Sequence, residues 1–354
     1  MRMKKVLIIG SSGILGKLVC AEVLSIMKSE AQLIVADYHI ERGKQLAQSL
    51  GNQTDFCYVD LTNRASIETA IHYVDVVIVA LKQEEPTVQK LCIEKQVHCI
   101  DVNPFSSFSK QVELFHNQAL EKEVSSVIMS GFYPGLSALL VKKAVEHFDE
   151  VINVDVALLQ NTNAKAGITG MVDMLRIISK PVTKDGQLTY PGFTKHKKLP
   201  FGRQQTLKTV REIHHDEKEY VARKLGVTSM HYWTGWNSNR FNHILSVLKN
   251  TGLLKLIVTM ENPKRLTRFV NHNESKGEEA FLTVEVTGRI LGEQKKKAWV
   301  LSTPSDYQLT AMVTAALVKA VGSHHAGVVF PFELTDVDMV LTLIDSPKIS
   351  LLEW

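Results

Sequence analysis

Lys4-Lys5-Val6-Leu7-Ile8-Ile9-Gly10-Ser11-Ser12-Gly13-Ile14-Leu15-Gly16 decides the fold of this chain. Residues 4–10 form an apolar run ending in glycine, the pattern of a parallel strand buried on both faces. Residues 14–28 place Leu15, Leu18, Val19, Val23 and Ile26 at helical spacing. Between strand and helix lies GxxGxxG, a spacing distinct from the commoner GxGxxG. Gly10 permits a tight turn out of the strand. Gly13 lets backbone approach a pyrophosphate with no Cβ in the way, and Gly16 lets the helix pack closely on the strand. The helix then offers unpaired N–H groups and a positive dipole end to phosphates, so Gly10, Ser11, Ser12, Gly13, Ile14, Leu15 and Gly16 are the candidate phosphate loop. The plainer alternative is a structural glycine turn in an α/β domain that binds no nucleotide.

Outward from this loop the pattern alternates. Strands are expected at 32–37, 56–61, 75–81, 98–102 and 125–131, and helices at 41–50, 64–71, 86–95 and 112–122. Such alternation predicts a doubly wound parallel sheet with right-handed crossovers, an α/β Rossmann domain. After Gly135 the pattern changes. A helix is expected at 137–148 and a half-exposed strand at 151–160. Loops follow at Lys184-Asp185-Gly186 and Tyr190-Pro191-Gly192. Residues 281–290 and 297–303 alternate strongly, with a hairpin connection at 291–296. This half reads as α+β with a mainly antiparallel sheet. An Ala-rich apolar helix is expected at 309–322.

Composition narrows the function classes. The chain has 354 residues and a net charge of +4, so charge says little about partners. Its basic clusters carry no interleaved aromatics, which argues against nucleic acid. Four cysteines, Cys20, Cys57, Cys92 and Cys99, lack CxxC spacing and read as reduced thiols. No apolar run approaches the roughly 20 residues that span a bilayer. A cytoplasmic protein with no membrane contact is the expectation.

Asp37 ends the second predicted strand, 21 residues past Gly16. An acid there accepts hydrogen bonds from the adenosine ribose and repels a 2′-phosphate, which favours NAD over NADP. Arg42 keeps NADP open, because it is close enough in sequence to swing towards a 2′-phosphate. Ligands of such sheets bind beyond the strand C-termini. Asp60 and Leu61 after the third strand, and Ala80, Leu81 and Lys82 after the fourth, are therefore further cofactor candidates.

With these motifs in place, the chain resembles the saccharopine dehydrogenase-like oxidoreductases over most of its length. GSSGILG and VADYHIERGKQLA resemble that family's glycine loop and second strand–helix, and YVDLTN (58–63) its third strand. CIEKQVHCIDVN (92–103) is similar to its helix, turn and strand. GFYPGLSALLVKKAV (131–145) resembles its GxxPGx helix entry, the most specific of these motifs. Segments 164–179, 214–227 and 325–334 resemble parts of its second half and ending. Where that family often has Arg after the strand-end acid, this chain has Tyr38. The resemblance implies a Rossmann domain of residues 1–133 and 306–354, and a substrate and dimerisation domain of residues 134–305. It implies a homodimer. It also implies hydride transfer at a C–N centre of an amino-acid-derived, carboxylate-bearing small molecule.

Asp101, at the end of the fifth predicted strand, would lie near the nicotinamide and stabilise an iminium or relay protons; a turn-capping acid is the plain alternative. His98 opens the same strand away from the ligand edge and reads as structural. Pro134 and Gly135 open a helix whose N–H groups would meet the carboxamide or a substrate carboxylate. His215 and Glu217 are the acid/base candidates of the second half, against a solvated loop as the alternative. Arg176, Arg203 and Arg223 are candidate carboxylate ligands. Tyr220 to Lys224 matches YxxxK but lies far beyond the Rossmann pattern and reads as chance. His214-His215 and His324-His325 lack a third ligand at metal spacing, so no metal is expected. Reduction of a C=C or C=O bond on the same scaffold, or a non-catalytic dinucleotide sensor, are the competing functions.

Overall fold

The computed structural model describes residues 3–165, 168–184, 188–254, 257, 272, 273, 275–322 and 325–354. Asp185 and Gly186 of the expected loop, and His324, lie outside them. The chain divides into two units, residues 1–139 with 307–345 and residues 140–306 with 346–354.

The first unit is a seven-stranded, wholly parallel sheet. Its strands are β1 (Lys4–Ile9), β2 (Ala31–Asp37), β3 (Thr54–Tyr58), β4 (Val76–Val79), β5 (His98–Asp101), β6 (Ser125–Val127) and β15 (Gly327–Val329). The order across the sheet is β15-β6-β5-β4-β1-β2-β3. The chain therefore winds one way from β1 to β3 and the other way from β4 onward. That reversal makes β1 and β4 neighbours at the topological switch point, where such sheets bind ligands. Helices α1 (Ile14–Met27), α2 (Ile40–Leu50), α3 (Arg64–Ile71) and α4 (Thr87–Glu94) connect the early strands. Beyond β5 lie α5 (Ser106–Glu113), α6 (His116–Glu121) and α7 (Ser137–Val145).

Val6, Leu7 and Ile8 of β1 and all four residues of β4 are fully buried, as strands covered on both faces must be. The third strand stops at Tyr58 and the sixth at Val127, short of the expected 61 and 131. Asp60 and Leu61 thus sit in a turn rather than at a strand end. The helix expected at 112–122 is two helices, α5 and α6. Phe115, where the second begins, packs against buried Ile93, Ala119 and Val124.

The second unit carries a mixed sheet of order β10-β11-β12-β7-β13-β14-β16. Its strands are β7 (Glu150–Gln160), β10 (His196–Phe201), β11 (Thr206–Ile213), β12 (Met230–Trp236), β13 (Ala280–Ile290), β14 (Glu293–Thr303) and β16 (Ser350–Glu353). Only β12 and β7 pair in parallel; every other pair is antiparallel. A small hairpin, β8 (Pro181–Lys184) with β9 (Leu188–Pro191), stands apart. Helices of this half are α8 (Ile168–Ser179), α9 (Glu217–Leu225) and α10 (Asn239–Asn250). The hairpin between β13 and β14 turns on Leu291 and Gly292 alone, both with positive φ, as a two-residue turn requires. The residues from Glu293 to Lys296, expected in the connection, extend β14 instead.

The chain then returns to the first unit through α11 (Asp306–Ala320), α12 (Pro331–Leu334) and α13 (Val337–Ile344). The C-terminus corrects the expected domain boundary. Residues 346–354 belong to the second unit, because Ser350–Glu353 pairs antiparallel with β14 from Trp299 to Ser302. That pairing satisfies backbone groups that β14 would otherwise leave at a bare sheet edge. Among the described residues no helix is long and apolar enough to cross a membrane.

Candidate functional site

Gly10 leaves β1 with φ of +86°, a conformation that favours glycine, and a Cβ there would meet Leu81 Cβ at 2.9 Å. Leu81 follows β4, so the loop and the β4 exit are in contact at the switch point. Gly13 is the N-cap of α1, with no side-chain cap, and its N–H donates to Gly10 O at 3.1 Å. A Cβ on Gly13 would meet only Gly10 O, at 3.3 Å. At Gly16 the same atom would lie 2.0 Å from Gly10 O. Gly16 therefore sets how closely α1 packs on the loop, and Gly13 keeps the approach to the helix N-terminus clear. This is a cradle that fits a pyrophosphate, at a helix end whose N–H groups have no side-chain cap.

The loop serines tie this cradle to β2. Ser11 Oγ, fully buried, donates to Ala36 O at 2.9 Å. Ser12 Oγ donates to Asp37 Oδ2. Asp37 also accepts from Arg42 Nε and Nη2, each at 2.7 Å, and from His39 N at 2.8 Å. Burial alone would push this carboxyl up, but the bonds from Arg42, Ser12 and His39 outweigh it and hold the pKa down to about 2. Asp37 is thus ionised, with two donors on each oxygen. Of these donors Arg42 is half-exposed and rests 5.3 Å from the centre of the Tyr38 ring. The Asp37–Arg42 pair is net neutral. The strand end therefore lacks the repulsion towards a 2′-phosphate that a lone carboxylate supplies.

A second polar group gathers at the β4 and β5 exits. Asp101 is 1% exposed and accepts from Gln83 Nε2 at 3.1 Å, from Gln89 Nε2, and from Asn103 N at 2.6 Å. Burial dominates and pushes its carboxyl up to about 7. Gln89 Oε1 is buried without a hydrogen-bond partner. A half-turn of that amide presents an acceptor in place of the donor, so the protonated as well as the ionised carboxyl has a partner. Ser130 N and Oγ each donate to Asp101 O at 2.9 Å, which joins β5 to the segment after β6. Pro134 and Gly135 follow in that segment. They form a tight turn, with Leu136 N donating to Gly131 O at 2.8 Å, and the helix proper begins only at Ser137. Lys82 rests its ammonium 4.8 Å from the centre of the Phe105 ring. Ala80 N donates to Ile9 O at 2.9 Å, continuing the ladder into the switch point. Asp60 accepts from Thr62 N and Oγ1 at 2.9 and 2.8 Å within its own turn.

The structure therefore brings together the glycine loop, Asp37 and the residues after β4. Asp101 with the 130–135 turn forms an adjoining group at the β5 and β6 exits. Gln83 and Gln89 escaped sequence reading. One signal was available: Gln89 is the only polar residue on the buried side of α4, among Val88, Leu91 and Cys92.

The acid/base candidates of the second unit are enclosed rather than solvated. His215 is 6% exposed and stacks on Tyr232 with ring centroids 4.3 Å apart and planes 2° from parallel. Burial pushes its imidazole down to about 3, so it is neutral at physiological pH. Glu217 is fully buried and accepts from Tyr232 Oη at 2.9 Å. The neighbouring His214 Nε2 lies 2.6 Å from Asp216 Oδ1. Of the arginines, Arg176 pairs with Asp173 at 3.0 Å and Arg223 lies 5.6 Å from the Tyr220 ring centre. Arg203 stands at the tip of the β10–β11 hairpin. In the YxxxK copy, Tyr220 is buried on α9, in a different unit from the nucleotide loop. In the first unit, His98 Nδ1 accepts from Ser125 N at 3.1 Å, a structural bond between β5 and β6.

Residues 6–179 match the family described as saccharopine dehydrogenase NADP binding domain. No curated protein matches the sequence. Among solved structures, the chain is similar to the apo saccharopine dehydrogenase (L-Glu forming) of Saccharomyces cerevisiae, with a TM-score of 0.72, 13% identity and 99% of each chain covered. It is similar to the homospermidine synthase of Legionella pneumophila in complex with NAD, with a TM-score of 0.68, 11% identity, and 100% of this chain and 91% of that one covered. The C. glutamicum DAP dehydrogenase in complex with DAP shares the fold at a TM-score of 0.51 and 14% identity, over 98% of this chain and 97% of that one. At these identities the likeness concerns the fold. Residues 6–179 thus carry a saccharopine dehydrogenase-like NAD(P)-binding domain, and the chain has the fold of these dehydrogenases.

Proposed function

We propose that this enzyme transfers hydride between NAD(P) and a C–N centre, an imine or secondary amine, of an amino-acid-derived substrate bearing carboxylates. The observation that carries the reading is the glycine cradle joined through Ser12 to Asp37 at the switch point of a 3-2-1-4-5-6 sheet. The proteins that share the fold point the same way, since they include amino-acid dehydrogenases and a homospermidine synthase.

The nicotinamide, when bound, supplies or takes the hydride. The chain's residues do the rest. Gly13 and the first turn of α1 hold the pyrophosphate with backbone N–H groups. Asp37 orients the adenosine ribose, and Arg42 moves aside for a ribose or stays to meet a 2′-phosphate. Asp101, poised near neutrality and served by Gln83 and Gln89, holds or releases a proton at its carboxyl, which is what formation and reduction of an imine require. Pro134 and Gly135 shape the turn beside it. His215 and Glu217 enter as positioning residues, because both are buried against Tyr232. The reading carries with it a cytoplasmic homodimer, which light scattering and cell fractionation test.

The decisive experiment is calorimetric titration with NAD and NADP, followed by absorbance of the reduced cofactor with paired amines and oxoacids. Binding of either dinucleotide together with cofactor oxidation by an amine–oxoacid pair supports the reading. Binding of neither sinks it.

A further inference from the structure

The second unit carries a cavity of about 560 Å³ that neither the cofactor loop nor the buried His215–Glu217 pair explains. Its floor is one cross-strand row of the mixed sheet. Leu159 on β7 lies opposite Phe281 on β13, Phe281 opposite Ser302 on β14, and Ser302 opposite Ser350 on β16. Residues directly opposite in a sheet point to the same face, and neighbouring strands are about 4.8 Å apart, so the row runs about 14 Å. It changes character along its length, from Leu159 and Phe281 to two serines. Neither serine hydroxyl makes a side-chain hydrogen bond with any described residue.

The wall is the β10–β11 hairpin. Its tip turns at Gly202 and Gln205, both with positive φ, closed by Gln205 N donating to Gly202 O at 3.2 Å. A Cβ at Gly202 would lie 3.4 Å from the Phe281 ring, so the tip stands directly over the apolar end of the floor. The hairpin is fixed in place. Leu199 and Phe201 pack with Leu159, Val210 and Trp233. Thr283 Oγ1 donates to Pro200 O at 2.6 Å. Lys197 bridges the buried Asp155 and Glu285 at 2.6 and 2.9 Å. A wall held this firmly needs little ordering when something binds.

Three cations line the cavity, Arg203 and Lys208 from the hairpin and Lys348 from the approach to β16. None of them forms an ion pair with a described residue, and Glu279 is the single carboxylate among the described lining residues. Elsewhere on this sheet four lysines are committed, Lys197 and Lys296 to Glu285, Lys295 to Glu293 and Lys297 to Glu353, while Lys198 forms no ion pair with a described residue. The cavity thus combines an apolar floor end, free hydroxyls and uncompensated positive charge.

We propose that this cavity binds a small anionic amphiphile, an apolar chain or ring with a carboxylate or phosphate head. The apolar body lies against the half-buried Phe281 beside the hairpin tip. The head takes hydrogen bonds from Ser302 and Ser350 and charge from Arg203, Lys208 and Lys348. The site does not rest on the dinucleotide reading, since all of its lining residues belong to the second unit.

Calorimetric titration of the full chain with octyl phosphate, octanoate, inorganic phosphate and 1-octanol tests it. Octyl phosphate or octanoate is expected to bind at least tenfold tighter than inorganic phosphate and octanol, and the tighter of the two identifies the head group. The double variant Lys208→Glu with Lys348→Glu changes only exposed side chains. It is expected to weaken that binding at least tenfold while leaving dinucleotide affinity and the circular dichroism spectrum unchanged. The proposal is overturned if neither amphiphile outbinds its parts, or if the double variant binds as well as the parent chain. Ser302→Ala with Ser350→Ala, expected to cost a few-fold, separates a seated head group from mere attraction to a basic surface.

Discussion

The two units treat their buried ionisable groups in opposite ways. In the first unit, Asp37 and Asp101 end neighbouring arms of one parallel sheet, and their surroundings drive them apart. Asp37 is held at about 2 by Arg42, Ser12 and His39, while burial lifts Asp101 to about 7. One is a fixed charge and the other is close to giving up its proton at physiological pH, a division of labour characteristic of functional sites. In the second unit, His215 and Glu217 are sealed against Tyr232. The imidazole is pushed to about 3, far from where it exchanges protons usefully. Position at the C-terminal edge of a parallel sheet places Asp37 and Asp101 among polar partners, each accepting several hydrogen bonds. Position beneath a helix on a mixed sheet makes similar groups part of the core.

The largest test of that contrast is Gly16→Val. A side chain whose Cβ would lie 2.0 Å from Gly10 O forces α1 off the loop, and dinucleotide affinity should fall by more than about 100-fold. Retained affinity in calorimetry would show that the cradle is not the phosphate site.

Asp101→Asn comes next. A carboxyl raised in the folded state favours its protonated form there, so the wild-type fold loses stability as pH rises from the unfolded value near 3.8 to about 7. In the variant this slope of a few kcal/mol should vanish. Urea unfolding at several pH values measures it, and the same variant should lose the limb of the kcat/KM profile near neutrality. Parallel pH dependences in parent and variant would remove Asp101 from the proton chemistry.

Asp37→Ala releases Arg42 from its clasp, and the affinity ratio of NADP to NAD should rise by roughly tenfold, about 1.4 kcal/mol. An unchanged ratio would mean that neither residue reads the ribose.

The smallest effect is expected in the second unit. Tyr232→Phe removes the donor to the buried Glu217 and should lower stability by about 1–2 kcal/mol with kcat little changed. A drop in kcat of tenfold or more at unaltered stability would restore His215 and Glu217 to a catalytic role.

Much of the first unit was legible in order of residues alone. Its first six strands and the helices between the first five were foreseen in order, because parallel strands covered on both faces are continuous apolar runs, whereas the seventh strand, Gly327–Val329, and the break of 112–122 into two helices were not. The loop was legible for the same reason: the requirement at Gly10, Gly13 and Gly16 is steric and local. Ends were less legible. The strand at Thr54–Tyr58 stops before Val59, which is just as apolar, because β2 ends at Asp37, whose carbonyl takes the last bond of the ladder from Val59 N. In the second unit, alternation revealed β7 and the hairpin of β13 with β14, but not that β7 lies between β12 and β13 or that β14 pairs with β16.

The sequence by itself determined that a GxxGxxG loop between strand and helix opens an α/β domain, that Asp37 stands at the end of the second strand, and that a mainly antiparallel region follows. These depend on spacing within a few residues, where sterics and periodicity act. Only the tertiary structure decided that Asp37 is already clasped by Arg42 and that Asp101 lies between two glutamines. It alone decided that His215 is stacked out of solvent, and that the last strand, Ser350–Glu353, completes the second sheet and floors its basic cavity. Each of those facts joins residues across sheet neighbours or helix packing, and burial and hydrogen bonding to distant partners fix a side chain's charge and reach.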